Sequence, residues 1–145
     1  MLTQNRCGQS KMDCKEFDIK TVSFELAKQF VRDDTLILKP EYDYIMLYHK
    51  GAPVSLLGVD IMKSGVVKLH SNYTPVEYRG NGFFSLLLVY VKRMHCGKKL
   101  MADCTDFSKG IYAKAGFHKV FEKQFKRFTI TRMELCDYGK TEERD

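Results

Sequence analysis

Residues 77–91 read "EYRGNGFFSLLLVYV", a polar turn with two glycines that runs straight into a wall of apolar side chains. An unbroken apolar run fits either a buried strand or a buried helix, and length and flanks must decide. Followed from Phe83, the run continues through "VYVKRMHCG" and meets Gly97, where a helix-terminating glycine belongs. Lys92, Arg93 and His95 then fall in the last turn, where positive charge suits the helix dipole. The helix reading places Gly80 and Gly82 in the turn that opens it. The first turn of a helix carries unpaired N–H groups and partial positive charge, a natural seat for phosphate. Glycine lets backbone approach closely there, and Arg79 adds a fixed charge. Taken alone, "GNG" is a weak signal, because many turns of that composition bind nothing.

Outward from this helix the pattern alternates. Downstream, "LMADC" (100–104) reads as a buried strand and "FSKGIYAKAGF" (107–117) as a short helix ending in glycine. "FKRFTITRMEL" (125–135) alternates as a final strand. Upstream, "EFDIKTV" (16–22) alternates, and Ser23 caps a helix from Phe24 to Val31. "YDYIMLYHK" (42–50) and "PVSLLGVDI" (53–61) form a hairpin across a glycine turn, and "GVVKLHS" (65–71) closes an antiparallel meander. A strand, helix, strand order after residue 65 predicts a parallel pair with a right-handed crossover.

The chain has 145 residues, the size of one compact domain. The expectation is a single domain over 1–145 with an ordered core over about 15–136 and loose tails, "MLTQNRCGQSKMDC" and "YGKTEERD". No apolar run approaches the ~20 residues of a membrane span, and the N-terminus lacks a secretory stretch. The five cysteines include no C-x-x-C pair, so neither a disulfide framework nor a metal site is expected, and the setting reads as cytoplasmic and reducing. A formal charge of +6 suits a phosphate-bearing ligand. Its basic residues are scattered, with clusters no larger than "CGKKL" and "KQFKRF", so no nucleic-acid or membrane partner is expected.

Two phrases, in order and on matching elements, resemble the GNAT superfamily of acetyl-CoA-dependent N-acetyltransferases. The family's Arg/Gln-x-x-Gly-x-Gly/Ala turn is similar to Arg79, Gly80, Asn81, Gly82, Phe83 and Phe84, and its Tyr-x-Lys-x-Gly-Phe phrase is similar to "YAKAGF" (112–117). The resemblance covers roughly residues 42–135. It implies a mixed α/β (α+β) fold with about six to seven strands, largely antiparallel with one parallel splayed pair, flanked by three to four helices. It also implies acetyl-CoA as cosubstrate, its pyrophosphate on Arg79 through Phe84 and its pantetheine arm between "VVKLH" and "LMADC". An acceptor amine would attack the thioester directly. Tyr112 aligns with the tyrosine that serves the leaving thiolate as acid; otherwise it is a core aromatic.

The base is sought on the strand before the turn. Strict alternation sets Val66, Lys68 and His70 on one face and Val67, Leu69 and Ser71 on the other. His70 suits a neutral-pH base, or is simply a half-exposed histidine on a sheet; Asp60 and Glu77 are further candidates. Two positions depart from the family pattern. Phe84 stands where Gly or Ala is usual, and is expected to rotate into the core rather than stand over the phosphate seat. Thr105 stands where asparagine is frequent. Cys104 reads as a buried structural cysteine. Tyr42, Tyr44, Tyr48 and Phe128 are available to line an acceptor site. The chain is expected to work as a monomer or homodimer, with a catalytically inactive GNAT-like binding module as the alternative to an enzyme.

Overall fold

The computed structural model describes residues 16–33 and 35–136, so the expected loose tails lie outside the described residues. Along the chain run β1 (Phe17–Val22), α1 (Phe24–Phe30), β2 (Asp43–His49), β3 (Ala52–Ile61) and β4 (Val67–Tyr73). A 3-10 turn (Val76–Tyr78) leads to α2 (Phe83–Met94), β5 (Lys99–Cys104), α3 (Lys109–Lys114), β6 (His118–Gln124) and β7 (Thr129–Cys136). The strands form one seven-stranded sheet in the order β1-β2-β3-β4-β5-β7-β6. Every pairing is antiparallel except β4 with β5. This is the mixed α/β architecture that the sequence leads one to expect.

Strand alternation divides the core in two. On one face Ile45, Leu47, Leu57, Val67 and Leu69 meet Phe84, Leu87, Leu88 and Val91 of α2 and Tyr112 of α3. On the other, Tyr44, Met46 and Leu56 meet Ala27 of α1. The α1 start is as expected: Ser23 Oγ accepts the Leu26 N–H at 3.1 Å. The apolar wall is indeed helix, with five buried residues on its sheet-facing side.

The final segment differs from its sequence reading. Residues 125–128 are the tip of a hairpin, closed by a 2.8 Å bond from the Phe125 N–H to the Phe128 carbonyl, and β7 begins only at Thr129. The other arm, β6, was not legible. It is the sheet's outer strand and every residue in it is exposed, so no period-2 pattern marks it.

What positions the site is the end of the parallel pair. β4 and β5 are in register from Val67/Leu100 to Leu69/Ala102 only. Beyond this, β4 runs on to Tyr73 and β5 to Cys104 unpaired with each other. The parting coincides with an irregularity in β4. Leu56 of β3 opposes Tyr73, but Gly58 opposes His70, so β4 carries one extra residue, a bulge. Ser71 sits in it with φ 56°, in the left-handed region. The bulge corrects the strict alternation. Ser71 leaves the Val67/Leu69 face, and its Oγ donates to the Ile37 carbonyl at 3.1 Å, on the side where α1 packs.

Candidate active site

The loop from Pro75 to Gly82 brings the start of α2 to the end of the sheet where β4 and β5 part. Arg79 Nε donates to the Thr74 carbonyl at 2.8 Å, and Asn81 Nδ2 donates to the Tyr78 carbonyl at 3.0 Å, closing the turn. Gly82, the N-cap, has φ 75° and gives no side-chain cap. The first intrahelical bond runs from the Leu86 N–H to the Gly82 carbonyl, so the N–H groups of Phe83, Phe84 and Ser85 are left without partners among the described residues. These bare amides can take a diphosphate, while the Arg79 guanidinium is turned to the Thr74 carbonyl and bears on Glu77 and Asp33.

The two phenylalanines clamp this helix start from opposite sides. Phe83 packs against His49 and Tyr78, with centroids at 5.1 and 6.3 Å. Phe84 is 7% exposed and meets the ring of Tyr112 edge-on at 5.9 Å. Its side chain therefore turns into the core and leaves the backbone approach clear.

Tyr112 and His70 stand on opposite faces of the sheet. Tyr112 lies among Phe84, Phe117 and Cys104, on the α2 side. Burial pushes its phenol far above the ordinary tyrosine range, and its hydroxyl makes no hydrogen bond among the described residues. It stays protonated and can donate. His70 lies on the α1 side, stacked on Tyr42. Its Nε2 is buried without a hydrogen-bond partner. Burial and then Lys68 lower its pKa, while Asp60 and Asp103 oppose the shift, so the imidazole is neutral at neutral pH.

The other base candidates fare differently. Glu77 is held at 2.8 Å by Arg32, whose hydrogen bond keeps the carboxyl below its usual range and makes it a poor base. Asp60 faces His70 and Lys68 from β3. Thr105 is engaged in the turn before α3, where its carbonyl accepts from Ser108 and Lys109. Cys104 is buried and its thiol is pushed up to about 11 by that burial, which makes it a poor nucleophile.

Sequence reasoning missed how the loop before β2 is anchored. The Tyr44 hydroxyl accepts from the Lys39 N–H at 2.8 Å and donates to the Lys39 carbonyl at 2.9 Å. Gly58 makes room for this ring, since a Cβ there would come within 3.0 Å of Tyr44 Cε1 and 3.2 Å of the His70 carbonyl. It also missed the polar bridge across β4, β5 and β7. Asp103 takes Lys68 at 3.2 Å and both arms of Arg132, at 2.8 and 3.1 Å. The available signal was a charged residue inside each of three strands, on faces that only the register aligns.

A cavity of about 380 Å³ adjoins this region, walled by Phe30, Arg32, Tyr48, Pro53, Pro75 and Tyr78 among others. None of its walls comes from β5, so it lies beside the splay rather than on it.

Residues 8–136 match the acetyltransferase (GNAT) domain family. The chain belongs to the GNAT acetyltransferase family. No curated protein matches it in sequence. Among solved structures it is similar to an N-acetyltransferase from Staphylococcus aureus Mu50, with TM-score 0.66, 12% identity, and 83% of this chain and 97% of that one covered. A Bacillus anthracis protein solved with acetyl coenzyme A gives TM-score 0.66 at 10% identity, over 84% and 99% of the two chains. Arabidopsis thaliana Naa50, in complex with the bisubstrate analogue CoA-Ac-MVNAL, gives 0.65 at 16% identity, over 83% and 99%. At such identities the likeness is one of fold. As a GNAT acetyltransferase the chain transfers acetyl from acetyl-CoA, its cosubstrate. The bare amides at the start of α2 and the parted strands fit such a ligand. No helix among the described residues is long and apolar enough to cross a membrane.

Proposed function

We propose that the chain works as a single GNAT domain that moves acetyl from acetyl-CoA to a primary amine by direct attack. The observation that carries this reading is the pair of groups flanking the strand splay, His70 on one face and Tyr112 on the other, beside a helix start with bare amides. The pyrophosphate would rest on the backbone of Arg79, Gly80, Asn81, Gly82, Phe83 and Phe84, and the pantetheine arm would lie between β4 and β5.

The amine nitrogen attacks the thioester carbonyl carbon, a C–N bond forms and the C–S bond breaks. His70, neutral at neutral pH, takes the proton that the nitrogen sheds. Tyr112 donates a hydrogen bond to the departing sulfur. Its raised pKa makes it a better hydrogen-bond donor than proton donor, so the thiolate's proton comes ultimately from solvent.

The inactive-module alternative rests on Phe84 in the phosphate turn and on the lack of an acid in β4; the Phe84 side chain lies in the core, while β4 still offers no acid and His70 stands in its place. Calorimetry with acetyl-CoA and thiol release with primary amines test the reading together. Binding with turnover that falls in His70→Ala supports it. Absence of binding at millimolar acetyl-CoA returns the chain to a binding module.

A further inference from the structure

The loop over residues 37–42, which leads into β2, is fastened by side chains from outside it. The Tyr44 ring is buried against Ala27 of α1, 6.4 Å from the ring of Phe24. It lies over Gly58, where a Cβ would come within 3.0 Å of its Cε1. Packing therefore places the ring, and the ring carries its hydroxyl to Lys39. There the hydroxyl accepts the Lys39 N–H at 2.8 Å and donates to the Lys39 carbonyl at 2.9 Å. The same carbonyl accepts the Tyr42 N–H at 3.2 Å, so one oxygen joins the Tyr44 hydroxyl to the turn that carries Tyr42. Ser71 completes the fastening. Its Oγ donates to the Ile37 carbonyl at 3.1 Å, and its hydroxyl also bears on the Tyr44 phenol.

What this loop delivers is the Tyr42 ring, flat on His70 with centroids 4.3 Å apart. Four charged groups bear on that imidazole: Lys68 of its own strand, Asp60 of β3, Asp103 of β5 and Lys39 of the loop. Lys68, Asp60 and Asp103 belong to the sheet and stay with it, whereas Tyr42 and Lys39 ride on the loop. These two act with one sign. The ring keeps water from one side of the imidazole, and the ammonium opposes a second positive charge, so both favour the neutral form.

We propose that Tyr44 is a positioning residue for the base: its hydroxyl, together with Ser71, holds the loop so that Tyr42 stays on His70. Tyr44 acts through Tyr42 and not on the reacting atoms. The consequence for turnover rests on the transferase reading above, whereas the effect on His70 rests on this geometry alone. Lys39 is exposed, so without the phenol its N–H turns to water and the turn is free to lift. Water then reaches the imidazole, Lys39 moves off, and both changes raise the pKa of His70. A larger share of the base is then protonated near neutral pH and unable to take a proton from the amine.

The test is Tyr44→Phe, which keeps the buried ring and removes both hydrogen bonds. In an NMR titration the His70 pKa should rise toward ~6.5, close to where it lies in Tyr42→Ala. The acid limb of kcat/KM should rise with it. Tyr44→Phe added to Tyr42→Ala should bring little further shift, because the ring through which it acts is gone. Ser71→Ala should move the titration in the same direction, and it is the variant to read if Tyr44→Phe fails to fold. An unmoved titration in the variant that is read, whatever its melting temperature, would leave Tyr44 a packing residue and overturn the proposal. Shifts that simply add in the double variant would overturn it too. Acetyl-CoA binding and amine turnover are followed separately. A moved titration in a protein that neither binds acetyl-CoA nor turns over counts against the transferase reading and upholds the positioning, whereas full turnover with an unmoved titration counts against the positioning.

Discussion

The phenol ring of Tyr42 lies flat on the imidazole of His70, with centroids 4.3 Å apart and planes 10° from parallel. The contact joins the loop before β2 to the bulged end of β4, and it removes water from one side of the imidazole. Because burial is the largest cause of the lowered His70 pKa, the stack bears on when this base is neutral.

The acid limb of the pH–rate profile should therefore lie below ~6.5, the unperturbed histidine value. Tyr42→Phe keeps the ring and should leave the limb in place. Tyr42→Ala exposes the imidazole and should raise its pKa toward ~6.5. NMR titration of His70 reads the shift independently of turnover. An unmoved titration in Tyr42→Ala would remove the stack as its cause. The stability sign follows: the unfolded histidine takes its proton first, so this group lowers stability as pH falls through ~6.5.

Tyr112→Phe should lower turnover by about 10²-fold or more, the span of a lost general acid or donor. Tyr112 is 2% exposed and its hydroxyl makes no hydrogen bond among the described residues, so the melting temperature should hold or rise. Full turnover at unchanged stability would make Tyr112 a packing aromatic only.

Phe84 is packed under the first turn of α2 against Tyr112, so Phe84→Ala should cost about 3–5 kcal/mol in denaturant unfolding. Acetyl-CoA affinity should not improve. A marked gain in affinity at full stability would place the side chain over the phosphate seat instead.

Gly82→Ala tests the backbone alone. A Cβ at Gly82 meets nothing within 4 Å, so no clash accompanies the change. The left-handed φ of 75° still penalises alanine by about 1–3 kcal/mol. Acetyl-CoA affinity should fall with it, as the first-turn amides lose their aim. Unaltered affinity and stability would show that the turn tolerates other conformations.

The sequence by itself determined the elements that a buried face imprints. β2 and β3 carry apolar residues wherever the sheet meets a helix, and "GNGFFSLLL" fixes a helix because glycine precedes the run and basic residues with Gly97 close it. The order of those elements also dictated one parallel pair. β6 left no such imprint, because a strand exposed on both faces is under no demand to alternate. The tertiary structure alone decided what depends on register and torsion. The left-handed φ at Ser71 is not written in its side chain; it arises where β4 must fit one extra residue against β3. That single residue coincides with the parting of β4 and β5, ties Ser71 to Ile37 and carries the strand end past the loop that lays Tyr42 on His70. Lys68, Asp103 and Arg132 meet only because three strands distant in sequence share a level in the sheet, and hydrogen-bond register, not local propensity, sets that level.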